Sequence, residues 1–339
     1  MITCTLAISI LFSSQQTWAP LFNGENLDGW TIVNGDKTTW AAKDNMLVTS
    51  GKPTGVLRTN DMYENFILEL DWRHITENGN AGLFVWSDPI PAVGVPFTRA
   101  IEVQIMDGKE LDWYTTHGDI FSIWGATMTP DRPHPNGDHV QRCLPSERRS
   151  KPFPEWNHYK VTCNDGAIKL EVNGKEVSGG FDIAPRKGYI CIEAEGTEAH
   201  FKNIRIQELP PTNPPLNTEM IANADSGFTS LFTGINLLGW NLVESKDWTA
   251  SGNMLHCGSK SKTLNTIKTV KAYELQFDYK CNAEDSSVHV LIDGKQTDLP
   301  CNETGTWTRF RIKGEGGNIG IGGNNAHFTN LFIRPLEAN

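Results

Sequence analysis

The sequence of 339 residues predicts an all-β protein built as two tandem β-sandwich domains, of which the second is shortened. Three observations support this fold class. Several segments of the first half recur in the same order in the second half, a proline-rich stretch separates the two copies, and apolar residues alternate with polar ones along many short segments. Ordered recurrence indicates duplication of one structural unit, and alternation with a period of two indicates strands.

The internal repeat consists of four segments. Residues 21–30 (LFNGENLDGW) return as residues 231–240 (LFTGINLLGW). The other recurring pairs are 40–47 with 248–255, 66–73 with 273–280, and 199–206 with 326–333. Between the copies, residues 209–215 are rich in proline, which cannot donate to a sheet and favours a semi-rigid linker. We therefore predict a first domain over 20–209, a linker over 210–225 and a second domain over 226–339.

Short alternating runs give the strands of each domain. Residues 66–72, 168–172 and 201–206 alternate apolar and polar side chains. Asn173-Gly174 and Asp293-Gly294 lie between such runs and predict type I′ hairpin turns. No segment has the pattern of a long amphipathic helix. Many short strands, with both ends of each copy in one sheet, favour a jelly roll of the concanavalin A-like type.

Charge and hydropathy limit the partners. The formal net charge of -10 argues against a nucleic-acid partner, because a phosphate-binding surface needs clustered lysine and arginine. No apolar run reaches the 18 residues of a membrane span. Residues 1–19 carry no charged side chain and end in a small-x-small triplet, so they predict a signal peptide and a secreted or periplasmic protein. The oligomeric state is left open.

The cysteines and histidines give no clear metal site. Six cysteines follow the predicted signal peptide and none forms a Cys-x-x-Cys pair, so disulfides and buried thiols both remain open. His134, Asp138 and His139 have no recognised ligand spacing. We predict no cofactor, and a structural Ca²⁺ ion is left open.

Residues 79–156 of the first copy have almost no counterpart in the second, and they contain the best candidates for catalysis. In the predicted strand 101–107, Glu102 and Gln104 share one face. Asp107 would point the other way unless a bulge near Met106 turned it back. Two carboxylates on either side of a glycosidic bond can divide the acid and base roles. The alternative is a solvated strand face followed by a turn at Asp107.

Other polar residues are candidates for substrate binding. Glu193 and Glu195 share a strand face, where two like charges need solvent, a cation or a substrate nearby. Residues 114–154 are interrupted by prolines and predict a long functional loop. Within this loop, Trp124 can stack on a sugar ring, and His117 and Arg142 can bind oxygen atoms.

Several motifs in order resemble the 3-keto-disaccharide hydrolase domain family. The segments that carry the resemblance span the whole first domain: 21–30, 80–84, 102–107, 155–157 and 201–206. The resemblance implies a concanavalin A-like jelly roll with a sugar-binding concave face. It also implies hydrolysis of disaccharides or other glycosides that are oxidised to a ketone at C3.

The resemblance leaves two mechanisms for the predicted strand. Residues 102–107 are similar to the Glu-x-Asp-x-x-Glu strand of laminarinase-type glucanases, but Gln104 and Asp107 replace the second and third acids. The C3 ketone of an oxidised sugar offers elimination as another route. In that route Glu102 or Asp107 is the base, and Arg142 or His117 stabilises the enolate oxygen.

The function expected from the sequence is therefore a secreted hydrolase of 3-keto glycosides. The alternative is a non-catalytic, lectin-like carbohydrate-binding protein, because fold analogy alone does not separate the two. The second domain lacks the candidate residues and is expected to be accessory. Deletion of everything after about residue 212 is then expected to leave activity largely intact.

Overall fold

The computed structural model describes residues 17–241, 247–259 and 261–336. It confirms an all-β fold of two β-sandwiches, and within the described residues the helical structure is limited to 3-10 turns at Lys37–Thr39 and Thr218–Met220. No helix in these ranges is long and apolar enough to cross a membrane. The predicted signal peptide lies almost entirely outside the described residues.

The first sandwich is formed by the strands β1 (Ala19–Pro20), β2 (Trp30–Ile32), β3 (Trp40–Lys43), β4 (Met46–Thr49), β5 (Gly55–Tyr63), β6 (Phe66–His74), β7 (Asn80–Ser87), β8 (Ala100–Met106), β9 (Ile120–Ile123), β10 (Thr127–Pro130), β11 (Arg142–Cys143), β12 (Asn157–Asn164), β13 (Ala167–Val172), β14 (Lys175–Ala184), β15 (Gly188–Ala194) and β16 (Ala199–Glu208). One sheet has the order β10-β14-β13-β12-β6-β16-β4-β3, with β1 added on β16. The other has the order β11-β9-β8-β7-β15-β5-β2. We call the latter the seven-stranded sheet.

The second sandwich is formed by the strands β17 (Thr229–Ser230), β18 (Trp248–Ser251), β19 (Met254–Cys257), β20 (Leu264–Asn265), β21 (Val270–Cys281), β22 (Ser287–Ile292), β23 (Lys295–Leu299), β24 (Trp307–Gly317), β25 (Gly320–Asn324) and β26 (Ala326–Pro335). Its larger sheet has the order β18-β19-β26-β21-β24, which matches β3-β4-β16-β6-β12 of the first sandwich in strand order. The smaller sheet has the order β20-β25-β22-β23. The second sandwich therefore lacks most of what builds the seven-stranded sheet.

The predicted hairpin turns are present. Asn173 and Gly174 have φ angles of 48° and 82°, and Asp293 and Gly294 have φ angles of 52° and 73°. Two successive residues with positive φ define the type I′ turn, whose twist matches that of the flanking strands. These turns connect β13 to β14 and β22 to β23.

The core of the first sandwich fixes which way the candidate residues point. Leu68 and Leu70 on β6 pack against Leu83, Val103 and Ile105 of the seven-stranded sheet, and all are buried. Because side chains alternate along a strand, Glu102 and Gln104, which flank Val103 on β8, point to the opposite side of the sheet, away from this core. We call this the outer face of the seven-stranded sheet.

The predicted loop 114–154 is partly stranded, which corrects the expectation of an irregular loop. Strands β9 and β11 extend the seven-stranded sheet, and β10 joins the other sheet by pairing with β14. These strands have two to four residues each, so their alternation is too short to be read in a segment interrupted by prolines.

The second sandwich packs on part of the outer face. Phe228, just before β17, and Phe332, on β26, join a buried cluster with Val56, Phe84 and Cys191 of the first sandwich. Polar contacts surround this cluster: the amide of Asn330 donates to the carbonyls of Ala92 and Val95, and the backbone N–H of Gly94 donates to Asp278. The two sandwiches therefore bury apolar side chains against each other in one shared cluster.

The cysteines include both a disulfide and buried thiols, the two alternatives that the sequence left open. Cys281 and Cys301 form a disulfide in the second sandwich. The other cysteines among the described residues are buried free thiols at positions 143, 163, 191 and 257.

Candidate functional site

A row of side chains crosses the outer face. Arg142 on β11 pairs with Phe121 on β9, and Phe121 pairs with Glu102 on β8. Residues directly opposite one another on adjacent strands point to the same face, so these three side chains stand side by side. Arg142 and Glu102 are two strands apart, which separates their backbones by about 10 Å, and the guanidinium group of Arg142 lies over the ring of Phe121 between them.

Glu193 stands beside Glu102 because Gly82 lies between them. A Cβ atom placed on Gly82 would be 2.7 Å from Oε2 of Glu193 and 3.0 Å from Oε1 of Glu102. Both carboxyl groups therefore occupy the space that any other residue would fill at this position. A glycine inside a strand often marks such a close approach.

Replacement of Gly82 by alanine is expected to reduce turnover at least about tenfold, because the new methyl group displaces both carboxyl groups from their positions. Circular dichroism and the melting temperature check that the fold is kept. Gly258→Ala is the matched control, since its Cβ, in the second sandwich, would come no closer than 3.3 Å to any neighbouring atom. Unchanged kinetics for Gly82→Ala would place the chemistry elsewhere.

Glu102, Glu193 and Glu195 form a carboxylate cluster, and their carboxyl groups hold protons unusually tightly. Burial raises the pKa of Glu102 from 4.5 to about 8; Glu195 adds to this rise, and Arg142 opposes it. Burial, followed by the charges of Glu102 and Glu195, raises the pKa of Glu193 well above its ordinary value. Burial also raises the pKa of Glu195, although a hydrogen bond from Glu193 partly offsets the rise. At neutral pH the cluster therefore keeps a proton on Glu193, where it can be donated.

Glu195 lies at the more open end of the cluster. Its Oε2 atom accepts a hydrogen bond from the side-chain amide of Asn80 on β7. The backbone N–H of Asn80 is in turn bonded to the hydroxyl of Thr197, which follows β15. These contacts hold Glu195 at the end of the strand that carries Glu193.

Arg142 is held in place by a buried carboxylate and by aromatic rings. Its Nε atom donates to Oδ2 of Asp119 at 2.7 Å, and Asp119 is fully buried. The guanidinium carbon lies 3.9 Å from the ring centroid of Phe121, 5.3 Å from that of Trp113 and 5.9 Å from that of Tyr114. Ring faces attract a cation, so this cage orients the guanidinium group without using its terminal N–H groups.

Two polar atoms of the site lack a partner. Nη2 of Arg142 and Oε2 of Glu193 are buried and make no hydrogen bond to any described residue. Leaving a buried polar atom unpaired costs about 1–3 kcal/mol, and such atoms commonly mark a functional site. One N–H donor of Arg142 and one carboxyl oxygen of Glu193 are thus available to a bound molecule.

The structure brings together some of the predicted site residues and separates others. Glu102, Gln104, Glu193, Glu195 and Arg142 all lie on the outer face. Gln104 directly follows the buried Val103 and is itself buried, with its Oε1 atom accepting from the N–H of Ile105. Its carbonyl accepts from the hydroxyl of Tyr159, which connects the site to the core.

Asp107 does not join Glu102, contrary to the paired-carboxylate expectation. Strands β7 and β8 pair from Asn80–Met106 to Val85–Ile101 without a register shift, so the bulge near Met106 is absent. Asp107 lies two residues after the core residue Ile105, so alternation directs its side chain to the same side of the sheet as the core residues. Its negative charge acts to raise the pKa of His74, which burial lowers. It lines a separate cavity of about 420 Å³.

His117 lines the same cavity as Asp107 and not the carboxylate cluster. Its Nδ1 atom is 2.6 Å from the hydroxyl of Ser150, and its Nε2 atom contacts Glu110. Burial lowers its pKa, although Glu110 acts in the opposite direction. Its ring nitrogens are therefore already engaged, and Arg142 alone of the two predicted enolate-binding residues faces Glu102.

Trp124 is also separate from the carboxylate cluster. It lines a cleft of about 890 Å³ between the two sandwiches. His134, one of the suspected metal ligands, is bonded to the carbonyl of Trp113 and to the N–H of Asn136. Within the described ranges, no three His, Cys, Asp or Glu side chains are grouped to hold a metal ion.

Sequence reasoning missed four contributors to this site: Asn80, Gly82, Asp119 and Phe121. The glycine within the run of residues 80–84 was a signal, because glycine weakens a strand unless something approaches it closely. Asp119 and Phe121 had no comparable signal. Phe121 lies on the short strand β9 and Asp119 directly precedes it, and only the pairing of β9 with β8 places them near Glu102.

A family model described as "3-keto-alpha-glucoside-1,2-lyase-like domain" matches residues 17–207. The chain belongs to this family. The match spans the first sandwich and confirms the family that the sequence motifs resemble. The protein is accordingly a carbohydrate-active protein, and the carboxylate cluster lies within the matched region.

Solved structures of similar chains are more distant. A protein from Parabacteroides distasonis, described as a glycosyl hydrolase, is 22% identical with a TM-score of 0.44, covering 57% of this chain and 94% of its own. The carbohydrate-binding module CBM66 of Bacillus subtilis is 16% identical with a TM-score of 0.38, covering 53% and 96%. The β-glucanase of Bacillus licheniformis is 13% identical with a TM-score of 0.36, covering 57% and 98%. No curated protein sequence matches the chain.

Proposed function

We propose that this protein cleaves the bond between C1 and the glycosidic oxygen of 3-keto glucosides by elimination. The arrangement of Glu102, Phe121 and Arg142 on three neighbouring strands carries this proposal. It places a carboxyl base and a guanidinium group with one unpaired N–H donor on the same face of the sheet. Membership of the 3-keto-alpha-glucoside-1,2-lyase-like family supports the choice of an oxidised substrate.

The first step removes the proton from C2. A ketone at C3 acidifies this proton, because the electron pair left behind is delocalised onto the C3 oxygen. Glu102 takes the proton, and its pKa of about 8 is close to the working range of a general base near neutral pH. Nη2 of Arg142 donates to the C3 oxygen as negative charge develops there.

The second step expels the group at C1. The enolate electrons re-form the C3 carbonyl and a C1–C2 double bond, and the C1–oxygen bond breaks. Glu193, which stays protonated because its pKa is raised, donates a proton to the departing oxygen. The products are an alcohol and an unsaturated 3-keto sugar.

Net hydrolysis, the outcome expected from the sequence, then needs only the addition of water to that double bond. In this addition the water oxygen bonds to C1 and gives one proton to Glu193, which the second step left ionised, while Glu102 returns its proton to C2. We also propose a secreted or periplasmic location, which rests on the uncharged segment 1–19.

An α-glucoside that carries a C3 ketone and deuterium at C2 tests the mechanism. Elimination predicts slower turnover than with the protonated substrate and an unsaturated 3-keto sugar that has lost the deuterium, because the C2 bond breaks in the first step. The same glucoside without the ketone is the matched control and should not be cleaved. Direct displacement at C1 would keep the deuterium and would contradict the proposal.

The same experiment separates the enzyme from a lectin-like carbohydrate-binding protein. A binding protein would retain the 3-keto glucoside intact, with saturable binding and no release of alcohol. The raised pKa values favour the enzyme, because perturbed carboxyl groups with unpaired polar atoms are characteristic of catalytic sites.

A further inference from the structure

A cleft lies between the two sandwiches, away from the carboxylate cluster. Its volume is about 890 Å³, which is in the range of small-molecule sites. The first sandwich contributes residues 88–93, Arg99 and Trp124, and the second contributes Arg309 and Arg311. The cleft therefore exists only because both sandwiches are present.

Trp124 directly follows the last residue of strand β9. This tryptophan lines the cleft and is 49% exposed. Its φ angle of 51° is uncommon for a residue other than glycine, so the surrounding structure imposes this backbone conformation. One face of the indole stacks on Phe97, with 6.5 Å between ring centroids and 20° between ring planes. A fixed, exposed indole is a surface on which the C–H face of a sugar ring can pack.

The arginines of the cleft differ in their partners. Arg99 makes two hydrogen bonds to Asp88, and Arg309 makes two to Asp278. Arg311 donates from Nε to the side chain of Gln276 and has no carboxylate within ion-pair distance in the described part of the chain. The cleft thus has one uncompensated positive charge in a protein whose formal net charge is -10.

The walls of the cleft are fixed by contacts across the interface. Asp278 binds Arg309, Asn330 and the N–H of Gly94 at once. The N–H of Asn223 in the linker donates to Asp88 on the opposite wall. A site with walls held in this way loses little freedom when it binds a ligand.

We propose that this cleft is a second saccharide site that binds an acidic sugar. The sugar ring packs on Trp124, and a carboxylate substituent pairs with the terminal N–H groups of Arg311. This site is separate from the carboxylate cluster and does not depend on the reaction proposed for it.

Isothermal titration of the full chain with cellobiouronic acid and with cellobiose tests the proposal. Neither sugar has a C3 ketone, so binding is measured without turnover. We expect the acid to bind at least tenfold more tightly than the neutral disaccharide, and its binding to weaken as salt is added. Trp124→Ala and Arg311→Gln should each weaken binding of the acid at least tenfold, with melting temperatures close to that of the wild type.

Trp113→Ala is the matched control, because Trp113 is another exposed tryptophan but lies against Arg142 in the carboxylate cluster. It should leave binding of the acid unchanged. Equal binding of the two disaccharides would overturn the acidic class of ligand. Wild-type binding by both Trp124→Ala and Arg311→Gln, or loss of binding in Trp113→Ala alone, would overturn the site itself.

Discussion

Glu102→Gln is expected to lower turnover of a 3-keto glucoside by at least about 100-fold, the lower end of what a general base contributes. Glutamine keeps the size of the side chain and cannot accept the C2 proton. The wild-type rate should rise with pH and level off above about 8, because only the ionised form of Glu102 acts as the base. The variant should lack this rise.

The free energy of unfolding of the wild type should fall as pH rises, whereas its rate of turnover rises. The folded protein holds a proton on Glu102 up to about pH 8, whereas the unfolded chain releases it near 4.5. Folding is therefore favoured by this group below pH 4.5, and the contribution is lost as pH rises to about 8. Glu102→Gln has no proton to lose at this position, so it should not show this fall in the free energy of unfolding and should become the more stable protein across the interval.

Asp107→Asn is the matched control for both measurements. Asp107 is the other sequence-predicted carboxylate, but it lines a different cavity and faces His74. It should keep the wild-type rate and its pH dependence. A fall in activity for Asp107→Asn that equals the fall for Glu102→Gln would contradict the assignment of the base.

The face occupied by Glu102 and Gln104 could be predicted because it depends only on alternation within one strand. The position of Asp107 depended on whether that strand has a bulge, which is decided by pairing with β7 and is not visible in β8 alone. The same alternation placed Glu193 and Glu195 together. What it could not show is that β7 brings Gly82 between two strands that are far apart in sequence.

The residues of the long loop were harder to place. Trp124 and Arg142 have the side chains that a sugar site needs, yet they lie in different sites, because β9 ends at Ile123 and directs Trp124 toward the second sandwich. Arg142 reaches Glu102 only through the pairing of β11 with β9. Contacts between strands this short are set by tertiary packing and leave no periodic signal.

Deletion of the chain after residue 212 is expected to lower both stability and activity, in contrast to the expectation from sequence that the first domain suffices. The deletion removes Phe228 and Phe332, which bury Val56, Phe84 and Cys191. Burial of two phenylalanine side chains contributes about 3–6 kcal/mol. At about 2–4 °C per kcal/mol for a domain of this size, the melting temperature should fall by about 6–24 °C.

The activity should fall with it, because the second sandwich holds the segment that leads into β8. Asn330 binds the carbonyls of Ala92 and Val95, and β8 begins a few residues later. Displacement of catalytic groups by about 1 Å can cost 100-fold in rate, so we expect at least a tenfold loss. In the full chain, Phe332→Ala should show part of both effects, whereas Leu238→Ala, at an exposed position of the second sandwich, should show neither. A truncated protein with wild-type melting and kinetics would mean that the shared apolar cluster contributes nothing to the first sandwich.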